Sequence, residues 1–331
     1  MESVGTPALW IGFIAFVILM LALDLGVFHR KAHVVSIKEA TVWSIIWMAM
    51  AFAFAGFVFW QFGSQRGVEF VTGFLIEKSL AVDNIFVFVV IFSALGIPAL
   101  YQHRVLFWGI LGALVFRSIM IWAGAAALAE VHWLMYVFGA FLLLTGLKLL
   151  YQVTREQAAA SPEESKLIRW AKRFIPTTTR FDGQRFFTRE NGKRVATPLF
   201  LALVLVEITD IIFAVDSIPA IFAITQDPFI VYTANIFAIL GLRSLYFVLA
   251  GIIDRFKYLK VGLALVLVLV GIKMCLLEVA KIPAGISLLV VASILGISIV
   301  WSLRATRGLA RKPPPGTGNE PPATIGDRPA E

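Results

Sequence analysis

The chain has 331 residues, 59% of them hydrophobic and 15% charged, with a mean hydropathy of +0.86. Soluble globular proteins are nearer half apolar and a quarter charged, so that class is excluded and a polytopic membrane protein is expected. The net charge of +8 could suggest a nucleic-acid partner, but the placement of the charge along the chain excludes that too.

Nine windows are long and apolar enough to cross the roughly 30 Å hydrocarbon core as helices. In chain order they are 8–28, 41–61, 69–95, 105–128, 132–152, 197–222, 229–252, 258–278 and 284–303. The opening "MESVGTPALW" has no basic region, so the first window is expected to be a retained span rather than a cleaved signal. Asp24 lies near the inner end of that span.

Residues 153–196 form the one sizeable polar insertion. Within it, "KLIRWAKRF" spaces Leu167, Trp170 and Phe174 helically among basic residues, which suits a helix lying on the inner leaflet. Further on, Asn191-Gly192 in "FFTRENGKRVAT" predicts a hairpin turn. Cys275 is the single cysteine, which excludes an intrachain disulfide. The Pro- and Gly-rich tail "KPPPGTGNEPPATIGDRPAE" is expected to be disordered.

Of the 29 Lys and Arg residues, 22 fall in alternate loops and the tail, whereas the opposite loops hold Arg66 and Lys281. Positive charge is retained on the cytoplasmic side. The expected topology is therefore a cell-membrane protein with its N-terminus outside, and with the long loop and the C-terminus in the cytoplasm.

An internal repeat is visible. "EKSLAVDNI" (Glu77 to Ile85) matches "DIIFAVDSI" (Asp210 to Ile218). Downstream of the first copy come Arg117-Ser118 and Lys148 in "TGLK"; downstream of the second come Arg243-Ser244 and Lys273 in "VGIK". Spans three to five thus correspond to spans six to eight, and an odd number of helices makes the copies run in opposite directions, a recurring transporter design. The expected fold is an all-α polytopic membrane protein with about nine transmembrane helices. Its parts are two N-terminal spans (1–68), the first repeat (69–152), the basic loop (153–196), the second repeat (197–278), a last span (279–304) and the tail (305–331).

The chemistry lies in Glu77, Asp83, Glu207, Asp210 and Asp216, all inside apolar windows. On insertion scales each carboxylate at a bilayer centre costs roughly 2.5–3.5 kcal/mol. Arg117 and Arg243 are the firmly buried bases and could balance some of this charge as structural partners. Ion pairing alone fails on arithmetic, because five acids face two bases. The surplus must be protonated or matched by a bound cation. Lys148 and Lys273 lie near enough to helix ends to snorkel, and Lys78 fits neither description. An ideal helix places Asp210 and Asp216 about 120° apart, so one shared ion requires several helices or a broken one. Pro219 predicts a kink at "AVDSIP" that frees backbone carbonyls; in the first copy any break rests on Asp83-Asn84.

Ligand type narrows the cargo. His29, His33, His103 and His132 sit in loops or at span ends. Carboxylates, Asn84, Ser217 and backbone carbonyls suit hard divalent cations: manganese, magnesium or calcium. The same acids could carry protons in exchange. No Walker pattern, nucleophile elbow or catalytic domain is evident, so neither an enzyme nor a cofactor is expected.

The two acidic motifs, with "LFWGILGALVFRS" and "FAILGLRSLYF", resemble the TerC family of integral membrane proteins, named for tellurium resistance and placed among the LysE-type transporters. The resemblance runs from about Leu23 to Arg304 and weakens in the central loop. It implies a multi-span inner-membrane protein, and because several members are linked to manganese export it selects Mn²⁺ from the hard cations. The family's motif positions fall on Glu77, Asp83, Asn84, Asp210 and Asp216, with Glu207 alongside. The alternatives are a transporter of Ca²⁺ or another cation, and a non-transporting membrane component of a metal- or tellurite-resistance complex.

Overall fold

The computed structural model describes residues 3–28, 35–131, 133–154, 177–190, 193–250, 258–276 and 283–306, with backbone alone at 23–28, 83, 86, 129, 154 and 284. Nine helices and one hairpin make up this portion. They are α1 (Pro7–Phe28), α2 (Ile37–Ala94), α3 (Ala99–Glu130), α4 (Leu134–Thr154), β1 (Phe187–Glu190), β2 (Lys193–Ala196), α5 (Pro198–Phe222), α6 (Pro228–Leu240), α7 (Leu242–Leu249), α8 (Leu259–Cys275) and α9 (Ala284–Ala305). By length and composition, α2, α3, α4, α5 and α9 can each cross a membrane; α6 and α7, bent by 42° at their junction, make a sixth if taken as one span. Their outer surfaces are apolar: Trp60 is 81% exposed, and Leu144, Leu289 and Trp301 also face outward. A soluble protein would not leave such a belt uncovered.

The 58 residues of α2 are too long for one crossing, and Gly63 resolves this. Its φ of 85° and ψ of 173° reverse the chain. Phe52 and Phe74 pack with ring centroids 6.0 Å apart, and Phe54 and Phe70 at 5.3 Å. In a straight helix Phe52 and Phe74 would be about 33 Å apart. The halves 37–62 and 64–94 therefore run antiparallel. At the turn Gly67 lets the Phe59 ring lie on the backbone. Gly63 occupies a region of φ/ψ space open essentially to glycine. Gly63→Ala is expected to lower stability by about 1–3 kcal/mol, read as a drop in thermal unfolding midpoint in detergent.

Caps set the other boundaries. Ser36 Oγ accepts from Glu39 N at 3.2 Å, starting α2. Pro198 begins α5 and Pro228 begins α6, where a missing N–H costs nothing. Asp227 caps α6 by accepting from Phe229 N at 2.9 Å, and it also holds the N-terminal segment through Ser3 Oγ (2.9 Å) and Val4 N (2.8 Å).

The helix carrying Asp216 corrects the expected kink. α5 is continuous to Phe222, and α2 is continuous through Asp83-Asn84. Pro219 lies in the last turn, so it forfeits one bond, to the Val215 carbonyl, and the helix closes with Ala223 N donating to Pro219 O at 3.0 Å. The break lies instead at Gly241, between α6 and α7. Lys78, which the sequence left unplaced, donates from Nζ to Ala238 O at 3.0 Å beside this break.

The strands of the predicted hairpin are present, β1 and β2 pairing antiparallel from Phe187↔Ala196 to Glu190↔Lys193, so the protein is not purely helical. The predicted turn residues, Asn191-Gly192, lie outside the described residues. The "KLIRWAKRF" segment and the tail beyond 306 lie outside the described residues. Lys273 does not snorkel, as the sequence suggested. It is buried, and its Nζ donates to Ser287 Oγ of α9 at 3.0 Å.

Helices α4 and α8 cross with their backbones in contact. A methyl group placed on Gly146 would lie 2.8 Å from Val268 N and 2.9 Å from Ala264 O. One placed on Gly271 would lie 2.6 Å from Leu143 N and 2.8 Å from Gly139 O. Small residues permit such close crossings in membranes.

Candidate functional site: a buried arginine between two acidic motifs

Glu77 and Asn84 lie seven residues apart on the second half of α2, as do Asp210 and Ser217 on α5. Seven residues are two turns, so each pair shares a helix face. Both faces turn toward Arg117, midway along α3 and 1% exposed. Arg117 grips Asp210 with a fork, Nε to Oδ2 at 3.0 Å and Nη2 to Oδ1 at 2.8 Å. Its Nη1 donates to Glu77 Oε1 and, at 3.3 Å, to Ser217 Oγ. Asn84 Nδ2 adds a bond to Asp210 Oδ1 at 3.2 Å. The two sequence motifs therefore meet around one guanidinium.

This cluster holds two carboxylates and one fixed positive charge. Glu77 Oε2 and Asn84 Oδ1 are buried without a hydrogen-bond partner. Buried polar atoms normally find partners, so two orphaned oxygens in one cluster call for an explanation.

The other predicted site residues are not bonded into it, although Glu207 lies within electrostatic reach of Asp210 one turn away. Glu207 sits against Gly112 of α3, where any side chain would overlap its carboxylate, and its Oε2 has no partner. Asp216 faces α4, where Thr145 hydrogen-bonds its carboxylate and Lys148 lies nearby; its Oδ1 is also buried and unpartnered. That divergence from Asp210 is what an unbroken helix requires. The side chains of Asp24 and Asp83 lie outside the described residues. Among the described residues, no three of His, Cys, Asp or Glu form a metal-binding group.

Arg243, the repeat's counterpart of Arg117, is buried next to the Gly241 break. It lines two small cavities. One also contains Asp210, Phe88, Gly109 and Leu242; the other contains Glu39, Trp43 and Ser244.

Sequence reasoning missed a polar network at the opposite end of the helices. Glu69 Oε2 accepts from Arg66 Nη1 (2.8 Å) and Thr225 Oγ1 (2.7 Å), tying α2 to the turn between α5 and α6. The i, i+3 spacing of Arg66 and Glu69 was a readable signal; Thr225 offered none.

A family model, the integral membrane protein TerC family, matches residues 62–309. The chain is 64% identical over 305 residues to an uncharacterized membrane protein, STKORF319, of Myxococcus xanthus, covering 92% of this chain and 95% of that one. It is 48% identical over 309 residues to a Salmonella typhi protein, Alx, whose name carries the words "membrane-bound redox modulator", covering 91% and 95% respectively. A Rickettsia bellii membrane protein is 42% identical over 294 residues, covering 89% and 96%. No solved structure matches. The chain belongs to the TerC family of integral membrane proteins.

Proposed function

We propose that this protein is a secondary transporter, not an enzyme, which exports a hard divalent cation from the cytoplasm across the inner membrane in exchange for protons. The observation that carries the reading is a set of carboxylate oxygens inside the helices that have no hydrogen-bond partner. Arg117 is shared between Glu77 and Asp210, while Glu207 and Asp216 keep buried, unpartnered oxygens elsewhere on the same helix. Unpaired oxygens suit a hard cation and would accept protons in its absence. Manganese is favoured over calcium and magnesium by the family resemblance, not by the donor set.

The reversal at Gly63 makes two crossings of α2, which with α3, α4, α5, α9 and the bent α6–α7 pair gives seven. The expected nine are reached by adding the shorter apolar helix α1 and the sequence window that contains α8. The α4–α8 crossing supports the inverted repeat. Aligning Lys148 with Lys273 pairs Gly146 with Gly271, Leu143 with Val268 and Gly139 with Ala264. The two sets of backbone contacts then become one contact made twice, as a two-fold axis requires.

The single cysteine cannot form an internal dithiol couple, so the redox wording of a relative's name gains no support here. The pairing of one acid from each motif, Glu77 and Asp210, with Arg117 favours the other reading, a non-transporting component held together by ion pairs. Manganese uptake by inverted vesicles separates the two. Asp216→Asn, which leaves the arginine cluster intact, is expected to lose at least about tenfold in export, as removal of an intramembrane carboxylate ligand should. Wild-type vesicles that move no divalent cation would establish the non-transporting reading, and full export by the variant would remove Asp216 from the site.

A further inference from the structure

We propose that Arg117 and Arg243 alternate on the Glu77–Asp210 carboxylate pair, and that this exchange switches the protein between two access states. The inference rests on the inverted-repeat transport reading and deepens it. The repeat makes Glu77 and Asp210 equivalent, Asn84 equivalent to Ser217, and Arg117 equivalent to Arg243. A single guanidinium on a pseudo-symmetric acid pair breaks that symmetry. Applying the two-fold gives a second arrangement of the same kind, with Arg243 docked on Asp210 and Glu77, and Arg117 withdrawn. Inverted-repeat transporters change access by exchanging the conformations of their two halves.

Three further features fit the exchange. Arg243 and Asp210 line the same small cavity, so the arginine already neighbours the acid pair. Arg243 rides on α7, a helix of eight residues joined to α6 at the 42° break, whereas Arg117 rides on the unbroken α3. The halves thus differ in bending as well as in docking.

Asn235 is the third feature. It is fully buried in α6, and neither its side-chain oxygen nor its nitrogen has a partner. Counting back eight residues from each arginine makes it the equivalent of Gly109, which lines the cavity beside Arg243. In the exchanged state Asn235 would line the corresponding cavity at the other end, where water could satisfy it. That end is tied shut here by Glu69, Arg66 and Thr225.

The test is thiol labelling in a Cys275→Ala background, in right-side-out and inverted vesicles, with a membrane-impermeant maleimide. Ala40 lines the same cavity as Glu39 and Arg243, so Ala40→Cys reports that end, and Asn235→Cys reports the cavity expected at the Glu69 end. Arg243→Gln removes the alternate partner and should raise the Ala40→Cys to Asn235→Cys labelling ratio by at least about threefold, a modest population shift. Arg117→Gln with Glu77→Gln leaves Asp210 to Arg243 and should lower the ratio by a similar factor. The paired variant avoids stranding both acids, and a monodisperse elution profile confirms that each chain is folded. Shifts in opposite directions support the exchange; shifts in the same direction, or none, overturn it. Labelling requires no metal. A wild-type chain that moves no cation yet shows opposite shifts defeats the transport reading alone, whereas cation flux with same-direction shifts defeats the exchange alone.

Discussion

Arg117→Gln is expected to cost about 3–5 kcal/mol of stability, the usual penalty for removing one partner of a buried ion pair. The cause is what remains behind. Asp210 loses both arms of its fork and Glu77 loses its contact, so two carboxylates are left in a site 0–4% exposed. The loss therefore measures stranded charge and not the net worth of the pair. This makes a second expectation sharp: adding Glu77→Gln and Asp210→Asn to Arg117→Gln should recover most of the loss, because the neutral amides can hydrogen-bond one another. Thermal unfolding midpoints in detergent for the single and triple variants provide the check. If the triple variant is as unstable as the single, Arg117 stabilises the bundle by packing rather than by charge.

Much of this arrangement was legible beforehand. The repeat linked Glu77 with Asp210 and Arg117 with Arg243, whereas the seven-residue spacing to Asn84 and Ser217 takes on meaning only once both faces are seen to meet at Arg117. Helical geometry alone separated Asp216 from Asp210, and the structure keeps them apart. Other features were not legible for identifiable reasons. A proline reads as a break in any apolar window, but Pro219 lies in the last turn of α5, where one lost bond is affordable. The actual break, at Gly241, depends on tertiary context. Gly241 has an ordinary φ of −86°, and what distinguishes it is the neighbouring Lys78–Ala238 bond, made across 160 residues of chain. Lys273 reads as a snorkelling residue because it is near a helix end; only the approach of Ser287 from α9 shows that it is buried.

The same asymmetry governs the carboxylates. Sequence could show that five acids exceed two arginines, but not that one arginine would take an acid from each repeat. Coupling the two halves through a single side chain means that neither motif can move without changing the charge balance of the other. The proposed exchange of arginines would make that coupling the bistable element an alternating mechanism needs.

Gly271→Ala is expected to destabilise the protein by about 1–3 kcal/mol through overpacking, despite the higher helix propensity of alanine. The added methyl would lie 2.6 Å from Leu143 N, 2.8 Å from Gly139 O and 3.0 Å from Leu143 Cα. All three are backbone atoms and cannot rotate away, so α4 and α8 must separate. Gly285→Ala and Gly296→Ala in α9 are the controls. Nothing lies within 4 Å of either added methyl, so both should be neutral or stabilising by up to about 1 kcal/mol. Gly146→Ala meets Val268 N and Ala264 O on the other side of the same crossing and should cost about as much as Gly271→Ala. The informative measurement is the double variant. If the two glycines serve one symmetric interface, a single outward shift of α4 relieves both clashes, and the double should lose less than the sum of the singles by at least about 0.5 kcal/mol. Strict additivity of the unfolding midpoints would mean that the two contacts yield independently and not through one shift of α4.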